Sequence, residues 1–345
     1  MCSELFRIPY TWGGVPIFGF GVLLVVWALV GLTSFAITVR RHGWNAETLS
    51  LLPLLLLTGA AIVGLPRIFP GGLPVRGYGV MVLAGAAAGV AMATYRATRA
   101  GIDRELIWSM AFWLFIGGMI GGRAFYVIEY WHDRFRADTF RETLLRVINF
   151  PEGGLVVYGA LFGGVFAVLF FIRKHNLPTL ATFDLIAPSF LIGLALGRIG
   201  CFLNGCCYGG PTSLPWAVRF PPLSPPFVDQ TEHGLLSAAN PPVESLPIHP
   251  AQLYSAITAA LIGWVLWSYY PFRRRDGQVL GLMLALYPVS RFMEEIIRTD
   301  EQAVFGTGLS ISQNISLAVF VAGIGLLFHL SKQPHRLAWP AKAMT

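Results

Sequence analysis

Long apolar runs alternate with short polar or basic turns along most of this chain. A helix that crosses a bilayer needs about 20 mostly apolar residues. Nine segments meet or approach that length: 15–38, 48–69, 76–97, 105–130, 155–173, 183–203, 250–270, 278–298 and 309–330. Two connections break the rhythm. Residues 131–154 mix charges with Phe135, Phe140, Leu144 and Leu145, the pattern of an amphipathic segment lying along a membrane surface. Residues 206–247 are rich in Pro, Ser and Gly, including Pro221-Pro222 and Pro225-Pro226, and predict a small irregular cap with short strands at most.

The first four segments carry a repeat. A shift of 58 residues lays Pro16-Ile-Phe-Gly-Phe-Gly-Val22 on Pro74-Val-Arg-Gly-Tyr-Gly-Val80, and without a gap Gly59 meets Gly117 and Gly64 meets Gly122. This register suggests a duplicated helical hairpin. Tyr78 and Arg123 of the second copy face Phe20 and Leu65 of the first. The polar groups survive in one copy only, so the first hairpin reads as structural.

Composition sharpens the picture. Of 345 residues, 55% are hydrophobic and 12% are charged, against roughly 25% charged in soluble domains. The expectation is an all-α polytopic membrane protein: a seven-helix core, an added N-terminal hairpin and a small extracytoplasmic head. Its parts are residues 1–72 (hairpin), 73–330 (membrane domain, with the head at 204–249) and 331–345 (cytoplasmic tail). The net charge of +7 is spread over short loops rather than gathered in a basic arm, which argues for anionic lipid and against nucleic acid. With the N-terminus outside, the loops holding Arg40, Arg41, Arg96, Arg99, Arg173 and Arg273 lie inside, and that side is the more basic. The first ten residues lack a basic region, apolar core and cleavage site, so no cleaved signal peptide is expected. The four cysteines, Cys2, Cys201, Cys206 and Cys207, contain no Cys-x-x-Cys pair. They read first as small packing residues, with metal binding or a disulfide as the other options.

Ionisable residues inside apolar spans are candidates for function. Arg123, Asp184, Arg198, Arg291, Glu294 and Glu295 qualify. Arg198 sits in Gly197-Arg-Ile-Gly-Cys-Phe-Leu-Asn-Gly-Cys-Cys-Tyr-Gly209 at the end of an apolar run. It is either a lipid-headgroup ligand or an arginine snorkelling to the interface. The flanking glycines would let a headgroup or a helix come close to the backbone. Arg291 and Glu295 are four apart and share a helix face with Tyr287, with Arg298 one turn on. They form either a functional pair or a lock between helices. Asp184 reads as a helix-start or interfacial residue. His249 precedes Pro250 at a helix start and reads as a headgroup contact or an interfacial side chain. Several arginines at one membrane face fit a phosphate-bearing lipid, because the guanidinium fork pairs with phosphate oxygens.

The Gly197–Gly205 stretch resembles the signature of the phosphatidylglycerol–prolipoprotein diacylglyceryl transferases. Satellites follow in that family's order: Tyr78-Gly79, Gly121-Gly-Arg123, Glu152-Gly-Gly154 before Tyr158-Gly159, His249-Pro-Ala-Gln-Leu-Tyr254, and Arg291 through Arg298-Thr-Asp300. The resemblance runs from Leu73 to about Leu330 and leaves the first hairpin outside. It implies transfer of the diacylglyceryl group of phosphatidylglycerol to the lipobox cysteine thiol of a prolipoprotein, at the outer face of the bacterial inner membrane. Glycerol phosphate leaves, and no metal or nucleotide is implied. Arg198 and Arg291 would hold the departing phosphate. Tyr78, Arg123, Asn204, Gly209, His249, Tyr287, Glu295 and Arg298 would line the substrate site. The chain departs from the family where Tyr158 replaces a usual His, the candidate base. Cys201 and Cys206 stand where Asn and an acid are frequent, and Ser255 replaces a common Glu. The second reading is a lipid-binding or lipid-transport relative without transfer activity.

Overall fold

Within a bilayer a backbone N–H or C=O has no partner except the chain itself, so each apolar run closes its own hydrogen bonds as a helix. The structure, a computed structural model, describes residues 4–43, 45–136, 139–148, 154, 156–237, 243–298, 303–304, 306 and 308–339. Its elements are β1 (Glu4–Ile8), β2 (Thr11–Trp12), β3 (Val15–Pro16), α1 (Val22–His42), α2 (Ala46–Ile68), β4 (Leu73–Arg76), α3 (Gly77–Arg99) and α4 (Arg104–Glu129). They continue with α5 (Phe140–Ile148), α6 (Val157–Lys174), α7 (Thr179–Asn204), α8 (Pro225–Glu232), α9 (Ala251–Tyr269), α10 (Gln278–Ile296), β5 (Ala303–Val304), β6 (Leu309–Ser310) and α11 (Ile311–Ser331).

Among the described residues the nine longest helices fall on the nine predicted segments, and six of them are long and apolar enough to cross a membrane. In the segment that carries the amphipathic pattern, Trp131–Phe135 form a short π-helical turn and Phe140–Ile148 form α5. The expectation for 206–247 missed α8, which opens on Pro225-Pro226 after Ser224. Proline suits a first turn, whose N–H groups have no helical acceptor.

The chain divides into two compact units, Met1–Val80 and Met81–Thr345. In the first, β1 runs antiparallel to β4, with Phe6 opposite Val75. α1 meets α2 through Trp27, whose Nε1 donates to Thr58 Oγ1 at 2.9 Å.

In the second unit, glycines let helices approach backbone to backbone. A Cβ on Gly85 of α3 would lie 2.7 Å from the Gly193 carbonyl of α7. Gly121 of α4 and Gly159 of α6 are in tighter contact still. Small residues at such crossings are how membrane helices associate when apolar burial gives no gain over lipid. Two of the sequence motifs, Gly121-Gly-Arg123 and Tyr158-Gly159, therefore touch. The apolar core lies toward the ends where α3, α6 and α9 finish and α7 and α10 begin, and includes Ala97, Phe171, Ile172, Leu185, Leu191, Leu266 and Val279.

That end is sealed by polar groups. Asp184, fully buried, accepts from the backbone N–H of Gly277 (2.7 Å) and of Leu280 (2.8 Å), and lies 3.8 Å from Arg273 Nε. It therefore caps α10 rather than starting its own helix, because the first-turn N–H groups of α10 need an acceptor. Residues after α11 fold back over this end. Arg273 donates to the Trp339 carbonyl (2.6 Å), Arg275 to that of Gln333 (2.6 Å), and the Ala338 N–H donates to Asp276 (2.7 Å).

Candidate functional site

At the opposite end of the same helices, the last turns of α7 and α10 and the first turns of α6, α9 and α11 carry polar side chains. Arg291, Glu294 and Glu295 of α10, with Arg298 just beyond its end, set the arrangement. Arg291 pairs with Glu295, and its second arm donates to Ser312 Oγ of α11 at 2.9 Å. Glu295, whose side chain is 3% exposed, also accepts from Ser310 Oγ at 3.0 Å and lies 3.9 Å from Arg298 Nε. A carboxylate this buried needs such partners to remain charged. Tyr158 of α6 joins through Ser312, with hydroxyl oxygens 3.4 Å apart. Glu294, on the adjoining face, accepts from Thr258 Oγ1 of α9 at 3.1 Å.

Arg198 stands in the penultimate turn of α7. It lies within electrostatic reach of Tyr287, Cys207, Cys201 and Glu294. Among the described residues it donates no hydrogen bond, so its fork is open. Gly197 beside it has open space where a Cβ would be. Helix α7 stops at Gly205, a left-handed residue (φ 76°) that returns its N–H to the carbonyls of Cys201 and Phe202. The next residues bend back, so the sulfurs of Cys201, Cys206 and Cys207 lie within 4.8 Å of one another, all half-buried and unpaired. Hydrogen bonds from the Cys201 and Cys206 thiols, then the Arg298 and Arg198 guanidiniums, hold the Cys207 thiol below the ordinary thiol range against the opposing pull of burial. Cys207 thus links Arg198 of α7 to Arg298 beyond α10.

The other predicted residues take varied places. Tyr287 faces Arg198. Asn204 is exposed at the end of α7, with its amide in hydrogen-bonding range of Cys206. Gly209 is buried, and its N–H donates to the His249 carbonyl at 3.0 Å. A Cβ there would lie 2.7 Å from the His249 side chain, so this glycine serves a close packing contact. His249 Nδ1 is 3.4 Å from Tyr254 Oη, which accepts from Trp216 Nε1 at 2.7 Å. Arg123 is buried and donates to the carbonyls of Val147 (2.9 Å), Arg146 (2.9 Å) and Gly154 (3.3 Å), which ties α5 to α4. Tyr78 is 44% exposed in the first turn of α3, within the first unit. Cys2, Glu152, Gly153, Thr299 and Asp300 lie outside the described residues.

Sequence reading missed Ser310, Ser312, Thr258 and Gln252. Ser310-Ile-Ser-Gln313 is a capping box, which marks Ser310 as a helix cap. Nothing in the sequence marks Ser312 or Thr258. Gln252 donates to the Cys206 carbonyl at 2.8 Å and pins the turn after α7. Farther into the apolar layer, a cavity of about 350 Å³ opens between α3, α4, α6 and α7, lined by Gly89, Ala93, Met110, Leu114 and Ser189 among others.

The family model for prolipoprotein diacylglyceryl transferase matches residues 66–329. A Rhodopirellula baltica protein named phosphatidylglycerol–prolipoprotein diacylglyceryl transferase is 30% identical over 95% of this chain and 89% of its own length. A match that long reaches into the first 72 residues. A Clostridium tetani protein of the same name is 34% identical over 73% of this chain and 92% of its own. One from Pseudoalteromonas atlantica is 34% identical over 76% and 88%.

Proposed function

The chain belongs to the prolipoprotein diacylglyceryl transferase family, and from that premise we propose that it moves the diacylglyceryl group of phosphatidylglycerol onto the lipobox cysteine thiol of a secreted precursor. It is a multi-pass membrane protein. The reaction forms a thioether and releases glycerol phosphate at the outer face of the inner membrane. Arg198 binds the phosphate through its open fork, and Arg291 and Arg298, oriented by Glu295, complete a cationic wall. As the thiolate attacks the glyceryl carbon, the carbon–oxygen bond to phosphate breaks and charge gathers on the leaving oxygen. Fixed guanidiniums stabilise that charge without reorganising. Gly197 leaves room for the headgroup, and the apolar cavity takes an acyl chain. Tyr158 and Arg291 share Ser312, so the tyrosine hydroxyl is coupled to the cationic wall.

The observation that carries this reading is the unengaged Arg198 guanidinium within reach of Tyr287 and Cys207. Labelled phosphatidylglycerol and a lipobox peptide, incubated with the purified protein, test it. The expected result is a peptide that carries diacylglycerol. A protein that binds the lipid and never labels the peptide is instead the non-catalytic relative, a reading favoured by Tyr158 at the place of the usual His. Tyr158→Phe separates its roles. Loss of kcat by about 10²-fold marks a proton-transferring hydroxyl, and unchanged turnover excludes it.

A further inference from the structure

The turn after α7 has a use that the phosphate wall does not explain. Free cysteines that only pack are among the most buried residues, yet none of Cys201, Cys206 and Cys207 is fully buried. Cys207 adopts φ 59°, a left-handed conformation that side chains other than glycine seldom take. Strain of this kind is held where the surrounding structure fixes it. Here Gly205 turns the chain and the Gln252 amide holds the Cys206 carbonyl at 2.8 Å. The result is three sulfurs within 4.8 Å of one another, beside two guanidiniums.

Zinc bound to sulfur at about 2.3 Å in a tetrahedral site sets neighbouring sulfurs about 3.8 Å apart. Rotation of the thiol side chains by up to about 1 Å closes that gap. Zinc sites that work on substrates keep three protein ligands and one open position. We propose that Cys201, Cys206 and Cys207 bind a zinc ion whose fourth position takes the acceptor cysteine of the precursor.

This inference rests on the transfer reading above and gives the acceptor thiol a route to lose its proton. Coordination deprotonates a thiol outright, so the precursor's S–H proton passes to water as its sulfur binds. The metal-bound thiolate then gives its electron pair to the glyceryl carbon. The carbon–oxygen bond to phosphate breaks, and its pair leaves on glycerol phosphate. No electron is gained or lost overall. The thioether product is neutral and a weak ligand, so it departs. Zinc with three thiolates carries one net negative charge and gains another when the fourth sulfur binds; Arg198 and Arg298 stand beside it to balance both.

The test uses the full-length protein in phosphatidylglycerol nanodiscs, reduced, loaded with zinc chloride and desalted. Mass spectrometry of metals is expected to find one zinc per chain. The triple variant Cys201→Ser, Cys206→Ser, Cys207→Ser is expected to hold none and to keep its helical circular dichroism. Cys207→His, which preserves a ligand, is expected to retain zinc. Zinc-edge X-ray absorption is expected to count three sulfurs without peptide and four with a lipobox peptide, while the Cys→Ser peptide leaves the count at three. Stripping the metal is expected to slow transfer by about 10²-fold, with recovery on adding zinc.

Zinc no higher than in the triple variant, a sulfur count that ignores the peptide, or full turnover in stripped protein each overturns the proposal. So does full turnover with two of the three cysteines joined in a disulfide. If the four-sulfur signal appears but no diacylglycerol reaches the peptide in any metal state, the thiol site stands and the transfer reading fails.

Discussion

Arg198 and Glu295 face the same polar end of the helices, yet their surroundings predict opposite outcomes of mutation. Among the described residues Arg198 donates no hydrogen bond, so Arg198→Lys is expected to leave the melting temperature within about 2 °C of the parent. Lysine keeps the charge but not the two-pronged geometry. Transfer is therefore expected to fall by about 10²-fold, the scale of losing one oriented donor to a developing oxyanion. Glu295 serves Arg291, Arg298 and Ser310 at once. Glu295→Ala strands buried cations and is expected to cost about 3 kcal/mol, read as a lowered unfolding midpoint in detergent. The two variants together separate lipid chemistry from scaffold. The Arg291–Glu295 bond was legible in the sequence because residues four apart share a helix face. The approach of Tyr287 to Arg198 was not, because it depends on how α10 leans on α7, which no local spacing encodes.

At the scale of elements, Arg123 changes meaning between sequence and structure. A buried arginine near a helix end suggests an anionic ligand, but its donors meet the carbonyls of Arg146 and Val147, where α5 ends without helical acceptance. Arg123→Ala is expected to destabilise the protein by about 2 kcal/mol and to raise amide exchange across Phe140–Ile148 while leaving α7 protected. Exchange read by mass spectrometry checks both. A loss of lipid affinity with unchanged exchange in α5 would return Arg123 to the substrate site. The long helices were legible because apolar runs of that length have few other fates. Helix α8 was not, because Pro-Pro reads as a break although proline also suits the first turn of a helix. The thiol cluster was legible only as a second option for a similar reason: cysteines at 201, 206 and 207 match no common ligand spacing, and the turn at Gly205 and the bend at Cys207 are what bring them together.

For the whole molecule, the polar ends of α6, α7, α9, α10 and α11 gather on one side and the arginine-rich turns on the other. With all native cysteines replaced, a cysteine placed at Glu232 is expected to react with an impermeant maleimide in intact cells. One at Arg274 is expected to react only after the membrane is opened. The reverse pattern would invert the orientation and move the proposed chemistry to the cytoplasm. The two ends also differ in kind. One is closed by backbone carbonyls and a buried aspartate, whereas the other keeps an arginine and three thiols accessible.

The segment from Gln333 to Trp339, which answers Arg273, Arg275 and Asp276, leaves the ribosome only after α11 has been made. Until then the Arg273 guanidinium lacks one of its acceptors, so the basic end cannot close during insertion. Insertion and closure are therefore separate events in time, and truncation at Ser331 would yield a chain that threads the bilayer yet stays open to proteases at that end.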